Sequence, residues 1–160
     1  MRLPACSFLP AFLGALLALC AVPPALHAQS DDQLIGTWRL DLARSRYVPG
    51  PPPISEVRIY SRDRDGLKGV IRRKYADRED VIEYRAEFDR DYPVFGARTY
   101  DAVRLKRLDA RTAEAVLSHA GRVYGTARRT IAKDGRTMTV EFQREDGAST
   151  VRNVAVYRKE

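Results

Sequence analysis

The chain has 160 residues, of which 44% are hydrophobic and 31% charged, and its formal net charge is +7 at neutral pH. This length suits one domain with its own core rather than two. Solvated strand faces of mixed charge are the favoured explanation of the positive charge, and acidic or anionic partners are the alternative. Cys6 and Cys20 both precede residue 29. Disulfides, thiolate metal sites and cysteine nucleophiles are therefore excluded from the chain beyond that point.

The first 28 residues have the layout of a cleavable secretory signal peptide. Arg2 precedes an apolar stretch over 11–22, and small residues lead to Ala28. Prolines on both sides leave this stretch too short to span a bilayer. We expect an exported protein, periplasmic or secreted, with no transmembrane span after processing. A lipoprotein acylated at Cys20 is a less favoured alternative, because Leu19 stands where a small residue is usual.

Residues 29–160 predict one all-β domain, because short alternating segments separated by turn residues replace the periodicity of amphipathic helices. Apolar side chains occupy every second position of 82–88 and of 138–142, which is typical of half-buried strands. We predict strands near 34–42, 54–61, 67–75, 81–89, 99–107, 112–118, 122–132, 136–144 and 149–158. Closure into a single antiparallel up-and-down barrel of about eight to ten strands would hide their edges.

Two segments interrupt this alternation. We expect 44–53 to be an extended loop, because its prolines lack amide donors for a central strand. The segment 89–96 contains Tyr92, Val94 and Phe95 where a polar connection is usual. It is therefore expected either to plug the core or to form the rim of a cavity.

The triplet Gly36-Thr37-Trp38 on the first predicted strand resembles the G-x-W triplet of lipocalins and the wider calycin group. The mature chain also resembles a group of small exported bacterial proteins described only as lipocalin-like, in the stretches 36–38, 45–53, 91–94 and 133–140. The resemblance implies an up-and-down barrel with the glycine and tryptophan at its closed end, and it implies no activity.

Intracellular fatty-acid-binding proteins are relatives in the same calycin group. They hold a ligand carboxylate with an arginine two residues before a tyrosine on the last strand. Tyr157 resembles that tyrosine, whereas Ala155 stands at the arginine position. Arg152 and Arg158 cannot replace it without a change of strand face, so the fatty-acid site is not transferred.

Strand parity predicts which side chains line the barrel. Pairs of inward-facing residues are expected on several strands: Trp38 and Leu40, Val57 and Ile59, Ile71 and Tyr75, Tyr84 and Phe88, Val103 and Leu105, Val140 and Phe142. The same parity turns Arg73 and Arg129 inward, where a guanidinium needs a protein carboxylate or an anionic ligand. The alternative is that both arginines lie at strand ends or beyond a bulge. The predicted ligand-binding residues are Trp38, Arg73, Tyr84, Phe88, Arg129, Phe142 and Tyr157, with the arginines and Tyr157 on an acid group and the aromatic rings on its tail.

No catalytic motif follows the leader. His119 and Ser118 are adjacent at a turn, and neighbouring strand side chains point apart, so they do not predict a catalytic pair. The segment 63–66 begins like a calcium loop, but its glycine comes too early and Lys74 stands where the bidentate acid belongs. There is no phosphate-binding glycine loop, and export disfavours a nucleic-acid partner. The sequence predicts neither a cofactor nor a metal.

The predicted function is non-catalytic binding of a small hydrophobic or acidic amphiphilic molecule inside the barrel. One alternative is a filled barrel or sandwich that acts as an envelope-associated interaction module and contacts anionic envelope surfaces through its basic face. Another is an enzyme that uses paired carboxylates near a cavity mouth. Unfilled volume in the interior distinguishes the ligand carrier from the filled module.

Overall fold

The structure is a computed structural model that describes residues 33–64 and 66–160. The predicted signal peptide, both cysteines and Asp65 lie outside the described residues. Within the described ranges, no helix has the length and apolar character needed to cross a membrane.

Antiparallel strands that follow one another in the chain form the whole sheet. Each strand pairs with its sequence neighbours, and the first strand closes against the last, which confirms the predicted all-β, up-and-down barrel. The ten strands are β1 (Gly36–Val48), β2 (Ser55–Asp63), β3 (Gly66–Lys74), β4 (Glu79–Ala86), β5 (Asp91–Phe95), β6 (Ala102–Arg107), β7 (Thr112–His119), β8 (Arg122–Ile131), β9 (Thr137–Asp146) and β10 (Ser149–Lys159).

Large buried side chains fill one end of the barrel, which we call the closed end. Trp38 and Met138 are fully buried there, and the Trp38 indole Nε1 donates a 2.7 Å hydrogen bond to the Leu34 carbonyl oxygen. The Lys159 ammonium lies 5.3 Å from the centroid of the Trp38 ring system, where a cation is attracted to the aromatic face. The open end carries the connections 49–54, 75–78 and 96–101.

The two interrupting segments are more regular than predicted. β1 continues through much of the predicted 44–53 loop, after a bulge between Asp41 and Arg46. The Ser45 hydroxyl fills the gap, since it donates to the Asp41 carbonyl oxygen at 2.7 Å and accepts from the Val156 amide at 2.9 Å. Side-chain bonding to the backbone thus replaces the ladder where the bulge interrupts it.

The predicted plug or rim at 89–96 is mostly the short strand β5. Val94 points into the core and is buried, whereas Phe95 points outward and is 66% exposed. Two register pairs join β5 to β4, and three join it to β6. The segment therefore completes the barrel wall rather than covering its end.

The predicted inward face of β2 is wrong. Val57 and Ile59 lie on the outer face, while Glu56, Arg58 and Tyr60 lie on the inner one. The register decides this, because Trp38 is the cross-strand partner of Arg58 and Arg73 is the partner of Glu56, and directly opposed residues share a face.

Candidate functional site

A cavity of about 350 Å³ occupies the barrel interior and opens between the connections of the open end. Its volume is near the lower limit of the roughly 300–1,000 Å³ typical of small-molecule sites. Ile71, Val103, Leu117 and Val140 provide aliphatic wall. Aromatic and charged side chains provide the rest, so the cavity can contact both apolar and acidic parts of a ligand.

Glu56 is a buried carboxylate in the wall of this cavity, with 1% of its surface exposed. Arg58 Nε donates to its Oε1 at 2.6 Å, and Arg73 Nε donates to its Oε2 at 2.5 Å. The Tyr157 hydroxyl donates a third hydrogen bond, of 2.7 Å, to Oε1. These charge-assisted bonds fix both guanidinium groups at the cavity surface.

The charge state of Glu56 follows from competing effects. Burial raises the pKa of the carboxyl, but the charges of Arg58 and Arg73 and the hydrogen bonds from Arg73 and Tyr157 outweigh it and lower the pKa to about 2. Burial also raises the pKa of Tyr157, so its hydroxyl stays protonated and able to donate. Glu56 is therefore anionic at neutral pH.

Tyr60 lies deeper in the barrel, between Arg58 and Arg129. Both arginines donate to its hydroxyl, and the Arg129 guanidinium lies 5.3 Å from the centroid of its ring. Burial raises the pKa of Tyr60, and the charges and hydrogen bonds of the two arginines reverse this, so that its pKa is lowered. The two guanidinium groups therefore favour an anionic oxygen between them.

We call Glu56, Arg58, Arg73 and Arg129, which are connected directly or through Tyr60, the interior charge cluster. It contains three positive groups and one negative group, an excess of two positive charges while Tyr60 is neutral. Every buried side-chain nitrogen and oxygen atom in the described part of the chain has a hydrogen-bond partner. The cluster is therefore satisfied in hydrogen bonds but not balanced in charge.

Four of the seven predicted ligand-binding residues line the main cavity: Arg73, Tyr84, Phe142 and Tyr157. The structure places the other three elsewhere. Trp38 packs into the closed end, and Phe88 and Arg129 border a separate small cavity of about 20 Å³. Arg107 lies 4.3 Å from the centroid of the Phe88 ring at that second cavity.

Sequence reasoning missed Glu56, Arg58 and Tyr60, which provide much of the polar lining and floor. A usable signal was present, because the short connection between β2 and β3 places position 56 opposite position 73. Once Arg73 is placed inward, its cross-strand neighbour must face inward too. The apolar Val57 and Ile59 concealed this relationship.

Aromatic rings form one wall of the cavity near its mouth. The ring centroids of Tyr100 and Tyr124 are 6.0 Å apart with planes inclined by 30°, and those of Tyr124 and Phe142 are 6.2 Å apart with planes inclined by 31°. The Arg144 guanidinium lies 5.0 Å from the centroid of the Tyr124 ring. These distances are typical of favourable aromatic and cation–π contacts.

A second group of charged side chains lies at the mouth. Asp80 Oδ1 accepts a 3.0 Å hydrogen bond from Arg98 Nε, and Arg78 Nε lies 3.5 Å from Asp80 Oδ2. The Arg78 guanidinium also lies 4.0 Å from the centroid of the Tyr75 ring. Arg78 Nη1 also lies 3.1 Å from Asp77 Oδ1, so this mouth group has two arginines and two aspartates and is balanced in charge.

The remaining candidate chemistry lies outside the cavity. His119 is exposed, and its Nδ1 is 3.4 Å from Asp101 Oδ2 at the surface. Among the described residues, no three or more His, Cys, Asp or Glu side chains gather in a way that could hold a metal ion.

No protein-family model matches the sequence, and no curated protein matches it either.

Proposed function

We propose that this protein is an exported, lipocalin-like carrier that binds a small acidic amphiphilic molecule in the barrel, without catalysis. The observation that carries the proposal is the excess of two positive charges in the interior charge cluster. Charges removed from water are costly unless they are paired. An anionic ligand group beside Arg58 and Arg73 would neutralise part of the excess.

The two cavity-lining arginines have donors to offer. A guanidinium carries five N–H donors; Nε of each arginine donates to Glu56, and Arg58 donates to Tyr60 as well. A ligand carboxylate can accept from the remaining donors while Glu56 holds the side chains in position. Glu56 thus orients the two arginines, and the arginines bind the acid.

Shape supports binding over the alternative of a filled interaction module. A packed barrel acting through its basic outer face needs no internal volume, whereas a carrier does. The cavity of about 350 Å³ continues from the charged cluster to an apolar and aromatic wall. An amphiphile with its acid on the arginines and its tail towards that wall would contact both regions.

Isothermal titration calorimetry on the purified protein tests the proposal with a carboxylic acid and its primary amide, which have nearly the same shape but differ in charge. We expect the acid to bind at least about tenfold more tightly, because a charge-assisted hydrogen bond contributes roughly 1.5–3 kcal/mol. Equal binding of acid and amide, or no binding of either, would refute it.

Variants locate the acid site. Because removing one arginine alone leaves Glu56 buried without one of its cations, Arg58→Met and Arg73→Met are each made together with Glu56→Gln. We expect acid affinity to fall about tenfold or more in both double variants. Arg85→Met is the matched control, because Arg85 is 64% exposed and pairs with Asp63 outside the barrel.

A further inference from the structure

We propose that the ligand is a planar aromatic acid, whose ring system stacks beside Tyr100, Tyr124 and Phe142 while its acid group contacts Arg58 and Arg73. This inference rests on the proposed function and specifies its ligand class. We call these three rings the aromatic slot.

The rings of the aromatic slot have similar orientations. Successive planes in the row are inclined by 30° and 31°, with centroid separations of 6.0 Å and 6.2 Å. A further flat ring can join such a row in an offset or tilted arrangement, which aromatic pairs prefer over a face-to-face sandwich. The Arg144 guanidinium packs against the Tyr124 ring.

The slot differs from the packed core in its exposure. Its three aromatic residues line the cavity and are each partly exposed, whereas Trp38 and Tyr157 are fully buried. These rings therefore have surface available for a ligand. Contact between this aromatic surface and water is unfavourable, and a bound ligand would remove it.

Gly125 on β8 allows the slot to close. A Cβ at this position would lie 3.0 Å from Phe142 Cε2 and 2.8 Å from the Gln143 carbonyl oxygen. Any other residue would therefore push against the strand or the Phe142 ring. The glycine permits Phe142 to approach β8 directly beside Tyr124.

The slot and two arginines of the interior charge cluster face the same cavity. Arg58 and Arg73 line it together with all three rings, and both arginines act electrostatically on the Tyr100 hydroxyl. Since Tyr100 is a member of the slot, a compact molecule can stack there and still present an acid to the arginines.

Cavity size and polarity also favour a ring over an acyl chain. A volume of about 350 Å³ suits a small rigid ligand. A long flexible chain loses conformational freedom on binding, whereas a fused ring has little to lose. The phenol hydroxyls of Tyr47, Tyr100 and Tyr124 also interrupt the wall with polar atoms.

The test compares 2-naphthoate with undecanoate by isothermal titration calorimetry on the purified protein, because the two carboxylates have the same number of carbon atoms. We expect naphthoate to bind about tenfold more tightly, as one or two aromatic contacts contribute roughly 0.5–1.5 kcal/mol each. Tyr124→Leu and Phe142→Leu should remove this preference. Phe95→Leu is the matched control, since it removes an aromatic ring that is 66% exposed on the outer wall.

The outcomes separate this inference from the proposed function. Tighter binding of naphthoate that the slot variants abolish supports the aromatic acid. Equal or tighter binding of undecanoate overturns the aromatic slot but leaves an acid-binding carrier. Failure of both acids to bind more tightly than their amides overturns both. If thermal unfolding shows that a slot variant is not folded, the comparison of the two acids on the unaltered protein still decides between an aromatic and an aliphatic ligand.

Discussion

The Tyr157 hydroxyl donates a 2.7 Å hydrogen bond to Oε1 of Glu56, a residue 101 positions earlier in the chain. With Arg58 and Arg73, it completes a set of three donors around one buried carboxylate. Glu56 therefore links β2, β3 and β10, and its ionised form is part of the barrel's stability as well as of the candidate site.

Glu56 should make the stability of the barrel depend on pH in a defined way. The pKa of Glu56 is lowered from 4.5 to about 2, so its contribution is fully present above about pH 4.5 and is lost as the pH falls through about 2. We expect Glu56→Gln to lower the free energy of unfolding by about 3 kcal/mol near neutral pH, with the difference from the unaltered protein shrinking in acid. Urea unfolding at a series of pH values measures this.

The matched control for that series is Glu83→Gln, which replaces an exposed glutamate on β4. It should change stability little at any pH. If the difference in free energy of unfolding between Glu56→Gln and the unaltered protein stays constant from neutral pH to about pH 2, the lowered pKa does not belong to Glu56.

Tyr60 should be the first of the buried tyrosines to ionise. Burial raises its pKa, but Arg58 and Arg129 outweigh burial, whereas the pKa values of Tyr84 and Tyr157 are raised. Ultraviolet titration of phenolate absorbance should lose its earliest buried phase in Tyr60→Phe. Arg129→Met should move that phase to higher pH, because one of the two stabilising cations is gone.

Tyr92→Phe serves as the control in the same titration, because the Tyr92 hydroxyl interacts with Glu87 rather than with the cluster. It should leave the earliest buried phase in place. An unchanged titration curve in Tyr60→Phe would show that the two arginines do not lower the Tyr60 pKa enough to set the order.

Gly69→Ala should force Tyr84 out of its position in the cavity wall. A Cβ at Gly69 would lie 2.5 Å from Tyr84 Cζ, which requires the ring to move. We expect a loss of about 1–3 kcal/mol in the free energy of unfolding, measured by urea unfolding. The loss should be smaller when Tyr84→Ala is already present, because the two changes share one contact.

Gly121→Ala gives the comparison for backbone strain alone. Gly121 has a φ of 76°, and no atom outside its chain neighbours lies within 4 Å of an added Cβ. Its cost should be limited to about 1 kcal/mol. If Gly69→Ala costs no more than Gly121→Ala and does not couple to Tyr84, the close packing is wrong.

Strand β5 should be the least protected part of the barrel wall. It makes five register pairs with its two neighbours, whereas the β9–β10 seam alone has ten. Hydrogen exchange followed by mass spectrometry should therefore show faster exchange in Asp91–Phe95 than in β9. Equal protection in the two strands would mean that side-chain packing around Val94 compensates for the short ladder.

The sequence was sufficient for the barrel because alternation and turn chemistry are local. The 82–88 alternation predicts β4 with the correct face, and the closing turns predict nearest-neighbour pairing. β5 was not predicted, because Pro93 and Gly96 weaken the sequence signal for a strand. In the structure this strand forms with only a few register pairs to its neighbours.

The site could not be predicted in full, because it depends on which residues pair across strands and not only on the alternation within one strand. Parity placed Arg73 inside and raised the need for an acidic partner, but it could not identify Glu56, because the alternation of β2 is consistent with either face. Val57 and Ile59 favoured the wrong one. Hydrophobicity indicates which face of a strand points into the barrel, but the register of the hairpin determines it.

Closure of the barrel by β1 and β10 has a consequence for folding order. The Arg39–Glu160 ion pair in this seam joins residues 121 positions apart, whereas every other seam joins consecutive strands. Closing so long a loop is entropically slow, so the hairpins can form first and the seam last. Until the seam forms, β1 and β10 each present an unpaired edge to neighbouring chains, and this interval is when association between partly folded molecules is easiest.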